Sequence, residues 1–160
     1  MLNRRSIHAF ALITILVLAN CGASDFASQL RLILAASTPL INSLNLGDKK
    51  QAVIQDFSDL AQGAATLSTD LKACDTSKPC KVEAISRFEV RFFDIERRGH
   101  FKLSPKLQNV ENILRGIIEA AKVYYGVAPR SSRTVGGPAA NPAKELSDRL
   151  AELKAAMKVQ

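Results

Sequence analysis

The sequence is poor in the residues and motifs that most often carry out catalysis. It holds only two histidines among 160 residues, His8 near the N-terminus and His100 between two predicted helices. It has no HExxH pair and no glycine-rich phosphate-binding loop. A Ser/His/Asp or Cys/His arrangement would have to use His100, because His8 belongs to a leader segment. We therefore predict that the chain is not an enzyme and that it binds neither a cofactor nor a metal.

Paired carboxylates likewise give little indication of a catalytic site. Asp56 with Asp59, and Asp94 with Glu96, have the spacing of solvated helix faces. We expect neither the burial nor the divergent pKa values of a catalytic pair at these positions. A single loop histidine such as His100 is likewise expected to be exposed.

No apolar run in the sequence is long enough to cross a bilayer. The longest, residues 9–19, is apolar except for Thr14. It is about half of the ~20 residues that a membrane-spanning helix needs. It follows Arg4 and Arg5 and precedes small residues, which is the pattern of a secretory signal peptide. The alternative, a short core helix, would not need to be apolar on every face.

The stretch LANC, residues 18–21, closes this segment and resembles the lipobox of bacterial lipoprotein precursors. Its first two residues match the family pattern, whereas Asn20 stands where Gly, Ala or Ser is usual. The resemblance implies a signal peptide over residues 1–21 and a mature chain anchored in a membrane through a lipidated Cys21. The alternative is cleavage after Ala23, which would release a soluble protein.

The sequence contains three cysteines, Cys21, Cys74 and Cys80. Thiols tend to pair in the oxidising compartment that an exported protein enters, and Cys74 and Cys80 are close enough in sequence to pair. Lipidation or removal of Cys21 then accounts for the odd cysteine. The spacing is not that of a Cys-x-x-Cys redox pair, and no histidine is near for a zinc site. We therefore predict a structural disulfide.

Acidic residues are fewer than basic ones, and the formal net charge is +7 at pH 7. Loss of Arg4 and Arg5 with the leader lowers it to +5. Because an exported protein does not meet nucleic acid, we expect none as a partner. The available anions are phospholipid headgroups, lipopolysaccharide and cell-wall polymer. The alternative is a solvated, mildly basic surface.

Arginines are concentrated in one segment. If this segment is helical, Arg87, Arg91 and Arg98 share a stripe that is a candidate binding surface for phosphate or carboxylate groups. The alternative is local neutralisation by the acidic residues of the same segment, which are Glu83, Glu89, Asp94 and Glu96.

Apolar residues recur at helical spacing through most of the mature chain. The first such segment, residues 24–46, contains Pro39, so we expect a kink or a break there. The second begins at Asp48, which forms a capping-box pattern with Gln51. The apolar seams of these two segments are Phe26, Leu30, Ile33, Ser37, Leu40 and Leu44, then Val53, Phe57, Leu60, Ala64, Leu67 and Leu71.

Two further helices are predicted beyond the cysteine pair. Residues 88–92 alternate as a strand would, but a lone strand has no partner here, so we predict a helix over residues 81–98. Gly99 is expected to end it. Ser104 and Pro105 then open the next helix as its cap and first residue.

Residues 127–142 have the Pro, Gly and Ser content of a linker. The segment 143–160 follows it and is predicted to be an amphipathic helix. Its apolar stripe consists of Leu146, Leu150, Leu153 and Met157. An isolated helix this short is marginal in water. We therefore expect the stripe to bind the bundle itself, a partner helix or an anionic surface.

These patterns together predict an all-α protein. Residues 22–126 are expected to form an antiparallel bundle of about four helices with a kinked first helix, followed by the linker and the C-terminal helix. The predicted function is that of a non-enzymatic lipoprotein on the periplasmic or outer-surface face of a bacterial membrane. It would present a helical interaction module to an envelope protein or a cell-wall polymer. The alternative is a secreted, soluble bundle that binds a small ligand or a protein target.

Overall fold

In a computed structural model of the chain, which describes residues 25–127 and 141–158, every regular element is a helix. The all-α prediction is therefore confirmed for these two ranges. The predicted signal peptide with Cys21, and most of the predicted linker, lie outside the described residues. The α-helices in chain order are α1 Phe26–Ala35, α2 Thr38–Ser43, α3 Lys50–Ala73, α4 Lys78–Glu96, α5 Pro105–Tyr124 and α6 Pro142–Ala156. Single-turn 3₁₀ helices at Gly47–Lys49 and His100–Leu103 precede α3 and α5.

The predicted interruption of the first helical segment is confirmed. The helix breaks at Ala36 and Ser37, and Pro39 then lies in the first turn of α2, where its missing N–H is not needed. The apolar seam differs from the expected one by one position. Leu34 is fully buried, whereas Ile33 is only partly buried.

The capping box predicted at Asp48 is not formed, and that prediction is wrong. Asp48 lies within the 3₁₀ turn, and its side chain faces solvent beside Lys49. Helix α3 begins at Lys50, and no side chain accepts a hydrogen bond from its first amides. The backbone of the turn substitutes for the cap, since the Lys49 amide donates to the Leu46 carbonyl at 3.0 Å.

Helices α3 and α4 lie close together and are joined covalently. The predicted disulfide between Cys74 and Cys80 is formed, with the two Cα atoms 5.5 Å apart. The Ser77 hydroxyl caps α4 by accepting a hydrogen bond from the Cys80 amide. Gly63 marks the closest approach, because a Cβ atom there would lie 2.8 Å from the Cδ atom of Arg91.

Helix α5 begins as expected and provides the platform for α6. The Ser104 hydroxyl accepts a hydrogen bond from the Leu107 amide at 3.2 Å, and Pro105 is the first helical residue. Helix α6 packs on α5 and on α1. The four residues of its apolar stripe belong to the same hydrophobic core as the other helices, and they are Leu146, Leu150, Leu153 and Met157. The stripe was expected to bind the bundle itself, a partner helix or an anionic surface. In the structure it packs against the other helices of the chain.

Candidate functional site

The stripe of arginines on α4 faces the carboxylates of α3. Arg87 donates hydrogen bonds to Asp70 on α3 at 3.0 Å and to Glu83 on its own helix at 2.9 Å. Arg98, just beyond the end of α4, donates to Asp56 at 2.7 Å and to Asp59 at 2.9 Å. Two of the three candidate anion-binding residues are thus already paired, and mostly with the neighbouring helix.

Arg91, the third residue of the stripe, is exposed beside a shallow hollow of about 160 Å³ between α3 and α4. No carboxylate of the described residues lies within 4.0 Å of its guanidinium, although the Asp70 carboxylate lines the same hollow. Anion binding by this stripe stays a prediction that concerns Arg91 above all.

The acidic residues expected to neutralise the stripe all lie on α4, but their partners are divided between α4 with its C-terminal cap and the neighbouring helix α5. Glu83 pairs with Arg87, and Asp94 pairs with Arg97. The other two turn towards α5. Glu89 accepts a hydrogen bond from Lys122 at 2.5 Å, and Glu96 accepts one from Arg115.

Asp56 is buried, which contradicts the solvated helix face expected for it. Its side chain is 3% exposed. One carboxylate oxygen accepts the hydrogen bond from Arg98, and the other lies 2.6 Å from Nδ1 of His100. A buried carboxylate is stable only when it is paired and hydrogen-bonded, and both conditions are met here.

His100 is also less exposed than expected, with 24% of its side chain accessible. An ionised carboxylate can only accept hydrogen bonds, so this contact fits the tautomer of His100 that carries its proton on Nδ1. No hydroxyl or thiol of the described residues hydrogen-bonds to the ring. The contact therefore holds the turn after α4 against the N-terminal part of α3.

Asp59 adds a second carboxylate to the cluster around Asp56, and Arg98 bridges the two. Hydrogen bonds donated by Gln55 and by Arg98 lower the pKa of the Asp59 carboxyl below its ordinary value. The same two carboxylates, Asp59 first and Asp56 second, raise the pKa of Arg98 through their hydrogen bonds. The pairing thus favours the charged forms of Asp59 and Arg98.

A second surface of a different kind lies between α1 and α6. It is a groove of about 590 Å³ that is open to solvent. The groove is lined by Gln29, Leu32, Ile33, Ala36, Ser147, Leu150, Ala151, Lys154, Met157 and Lys158. Its lining contains no acidic residue, and Leu32 is 66% exposed. An exposed apolar groove of this size has the dimensions of a small-molecule site.

The sequence contained partial signals for both surfaces. Asp56 follows Val53 by three residues and precedes Leu60 by four, which places it at the edge of the apolar seam. Leu32 lies off the seam of its segment, so an apolar side chain is placed outside the expected core. Neither position shows which residue of a distant helix it meets.

Comparison with protein families, with curated proteins and with solved structures finds no match to this chain. Among residues 25–127 and 141–158, no helix has both the length and the apolar character needed to cross a membrane. The same residues contain no cluster of three or more His, Cys, Asp or Glu side chains placed to hold a metal ion.

Proposed function

We propose that the chain is a non-enzymatic lipoprotein of the bacterial cell envelope whose helical domain acts as an interaction module. The observation that carries this proposal is the groove between α1 and α6. It combines a concave shape, an apolar lining and two lysines that form no ion pair with the residues the structure describes. Such a surface is suited to binding, because its large apolar side chains remain in contact with water until a partner covers them.

The position of the groove relative to Cys21 also supports the proposal. Cys21 precedes the first residue of α1, Phe26, by five residues. Even fully extended, that stretch spans at most about 18 Å. A lipid on Cys21 would therefore hold α1, and with it one wall of the groove, close to the membrane surface. Anchoring of this kind becomes stable when two or more acyl chains are attached.

We also propose that the helices form an antiparallel bundle. Only four residues connect α3 to α4, and eight connect α4 to α5. Short connections favour antiparallel packing of consecutive helices, because a parallel return needs a longer crossover. The contacts of α3 with α4 and of α4 with α5 agree with this arrangement.

We propose a structural role for His100. Its Nδ1 is committed to Asp56, and that carboxylate is shared with Arg98. A nucleophilic mechanism would need a hydroxyl or thiol at the other ring nitrogen. We accordingly assign the Asp56 cluster to stability, and we propose no cofactor, metal or nucleic acid as a partner. The partners we propose are the membrane, through the anchor, and an envelope protein or cell-wall polymer.

The anchor is tested by expressing the full chain in a bacterium beside the Cys21→Ser variant. The intact mass and the membrane partitioning of each mature protein are then measured. We expect a mass increase of diacylglyceryl size and a membrane-bound protein, both lost in Cys21→Ser. An unmodified N-terminus at Ser24 in the soluble fraction of the unaltered chain would overturn the anchor.

The second candidate function, a secreted ligand-binding bundle, is favoured by the size of the same groove. Its volume falls within the range of about 300–1,000 Å³ that is typical of small-molecule sites. The same fractionation separates the two functions, because cleavage after Ala23 leaves no acyl group on the protein.

A further inference from the structure

The groove between α1 and α6 has an apolar side and a cationic end. Leu32, Ile33 and Ala36 line it from α1, and Leu150 and Ala151 line it from α6. Along α6 and the two residues after it, the lining extends from Ser147 to Lys158, which is roughly 16 Å at the rise of an α-helix. Both lysines of the lining, Lys154 and Lys158, are at the C-terminal end of that stretch.

These two lysines differ from the other cations of the C-terminal helix. Lys144 pairs with Asp148, and Arg149 pairs with Glu152. In contrast, no carboxylate of the described residues lies within 4.0 Å of Lys154 or Lys158. Lys154 lies in the last turn of α6, Lys158 follows just after the helix, and both line the same end of the groove. The groove thus holds two neighbouring ammonium groups without a described counter-charge.

We propose that the groove binds a single-chain amphiphile with a carboxylate head, that is, a fatty-acid type of ligand. The hydrocarbon chain lies against Leu32, Ile33, Leu150 and Ala151, and the carboxylate lies between Lys154 and Lys158. This inference rests on the proposed function in taking the groove as the interaction surface, and it names the class of ligand. It does not depend on the lipid at Cys21.

The apolar lining and the cationic end of the groove each account for a part of its selectivity among amphiphiles. Each methylene group removed from water strengthens binding about fourfold, so the chain supplies most of the affinity. The lysines add a preference for an anionic head over a neutral one, and they disfavour a cationic head by repulsion. A partner helix or a segment of this chain in the groove would show no such dependence on the charge of a small probe.

The test uses the full chain with Cys21→Ser, purified after export, so that no attached acyl chain competes for the groove. Binding of dodecanoate, dodecanol and dodecyltrimethylammonium is measured by calorimetry below the concentrations at which they form micelles. We expect saturable binding of one dodecanoate, binding of dodecanol about tenfold weaker, and the weakest binding for the cation. No binding of dodecanoate, or equal binding of all three probes, would overturn the proposal.

Variants assign the binding to this groove. Lys154→Gln with Lys158→Gln should weaken dodecanoate binding about tenfold and leave dodecanol unchanged. The matched control is Lys102→Gln with Lys106→Gln, two exposed lysines that are also four residues apart and do not line the groove. This control should bind all three probes as the parent does. Equal losses in the two double variants would mean that only net charge matters, and that result would contradict the assignment.

A second pair of variants tests the apolar side without touching the core. Ala151 is exposed, so Ala151→Trp fills the groove from α6 and should abolish binding of dodecanoate and dodecanol. Leu32→Gln should weaken both by a similar factor, since it acts on the chain and not on the head. Circular dichroism confirms folding of each variant. Undiminished dodecanoate binding in both would place the ligand elsewhere and refute the proposal.

These results are independent of the anchor. If the unaltered chain is soluble and unacylated while the Cys21→Ser protein prefers dodecanoate, the lipoprotein is overturned and the groove ligand is kept. If the unaltered chain is lipidated while the Cys21→Ser protein binds none of the three probes, the anchor is kept and the ligand is overturned.

Discussion

The interface between α3 and α4 and the groove between α1 and α6 both present cationic side chains, but they hold them differently. At the α3–α4 interface, Arg98 meets a carboxylate that is 3% exposed, and the positive charge is neutralised within the fold. In the groove, Lys154 and Lys158 have no described carboxylate within reach. The comparison teaches that positive charge is paired within the fold in the first region, whereas in the second it has no partner among the described residues.

The largest effect is expected from Asp56→Ala. It removes the acceptor of Arg98 and of His100 together and should lower the free energy of unfolding by about 3 kcal/mol, because both donors lose a charged partner. Urea unfolding of the two proteins measures the difference.

The matched control is Asp70→Ala, on the same helix and also paired with an arginine of α4, but 30% exposed. Its loss should stay below about 1 kcal/mol. Equal losses would remove the distinction between buried and exposed pairing.

A smaller effect is expected from the disulfide that joins the same two helices. Replacing Cys74 and Cys80 by Ser should cost about 2 kcal/mol, since the cross-link restricts the unfolded chain. Both proteins should carry Cys21→Ser, which prevents mispairing, and urea unfolding again gives the difference. No change would show that packing and ion pairing hold α3 against α4 without the cross-link.

The third prediction concerns pH and Asp59. A carboxylate with a lowered pKa stabilises the fold above the pKa of the unfolded chain, about 3.9, and loses this contribution as pH falls through the folded value. Asp59→Asn should therefore be less stable than the parent by about 1 kcal/mol at pH 7, and the two proteins should converge as the pH falls below about 4. Thermal unfolding across this range measures both curves. Asp48→Asn, whose carboxylate is 85% exposed, should follow the parent throughout. Parallel curves for Asp59→Asn would rule out a contribution from its charge.

The smallest effect is expected in the groove. Lys154→Gln with Lys158→Gln should change the free energy of unfolding by less than about 0.5 kcal/mol, because no described ion pair is lost. The comparison protein is Lys122→Gln, which removes a lysine that is 15% exposed and 2.5 Å from Glu89. That variant should lose about 1–2 kcal/mol. A loss of this size in the groove variant would mean that the two lysines already have a partner within the chain.

Local patterns were sufficient to predict the helices and several of their ends. Ser104 caps α5 as expected, because a cap depends on residues within one turn of it. The segment that alternates like a strand is helical, and here the absence of a second strand outweighed the alternation. The Asp48 cap failed because the backbone of a 3₁₀ turn met the same need without the side chain.

Contacts between distant helices could not be predicted in the same way. The distance along the chain from Asp56 to His100 is 44 residues, and only the packing of α4 against α3 brings them together. The same limit applies to the groove, since its walls come from the first and last helices. Periodicity identified a buried face on each of these helices, but it carried no information about which exposed residues the packing would place side by side.

The contact between α1 and α6 brings together the first and the last helix that the structure describes. A domain with this closure is suited to circular permutation, with a peptide joining these two helices and new termini opened in a surface turn. In a protein anchored through Cys21, the same contact would keep α6 on the membrane side of the domain. A reporter inserted in a turn far from α1 would then be displayed away from the lipid surface.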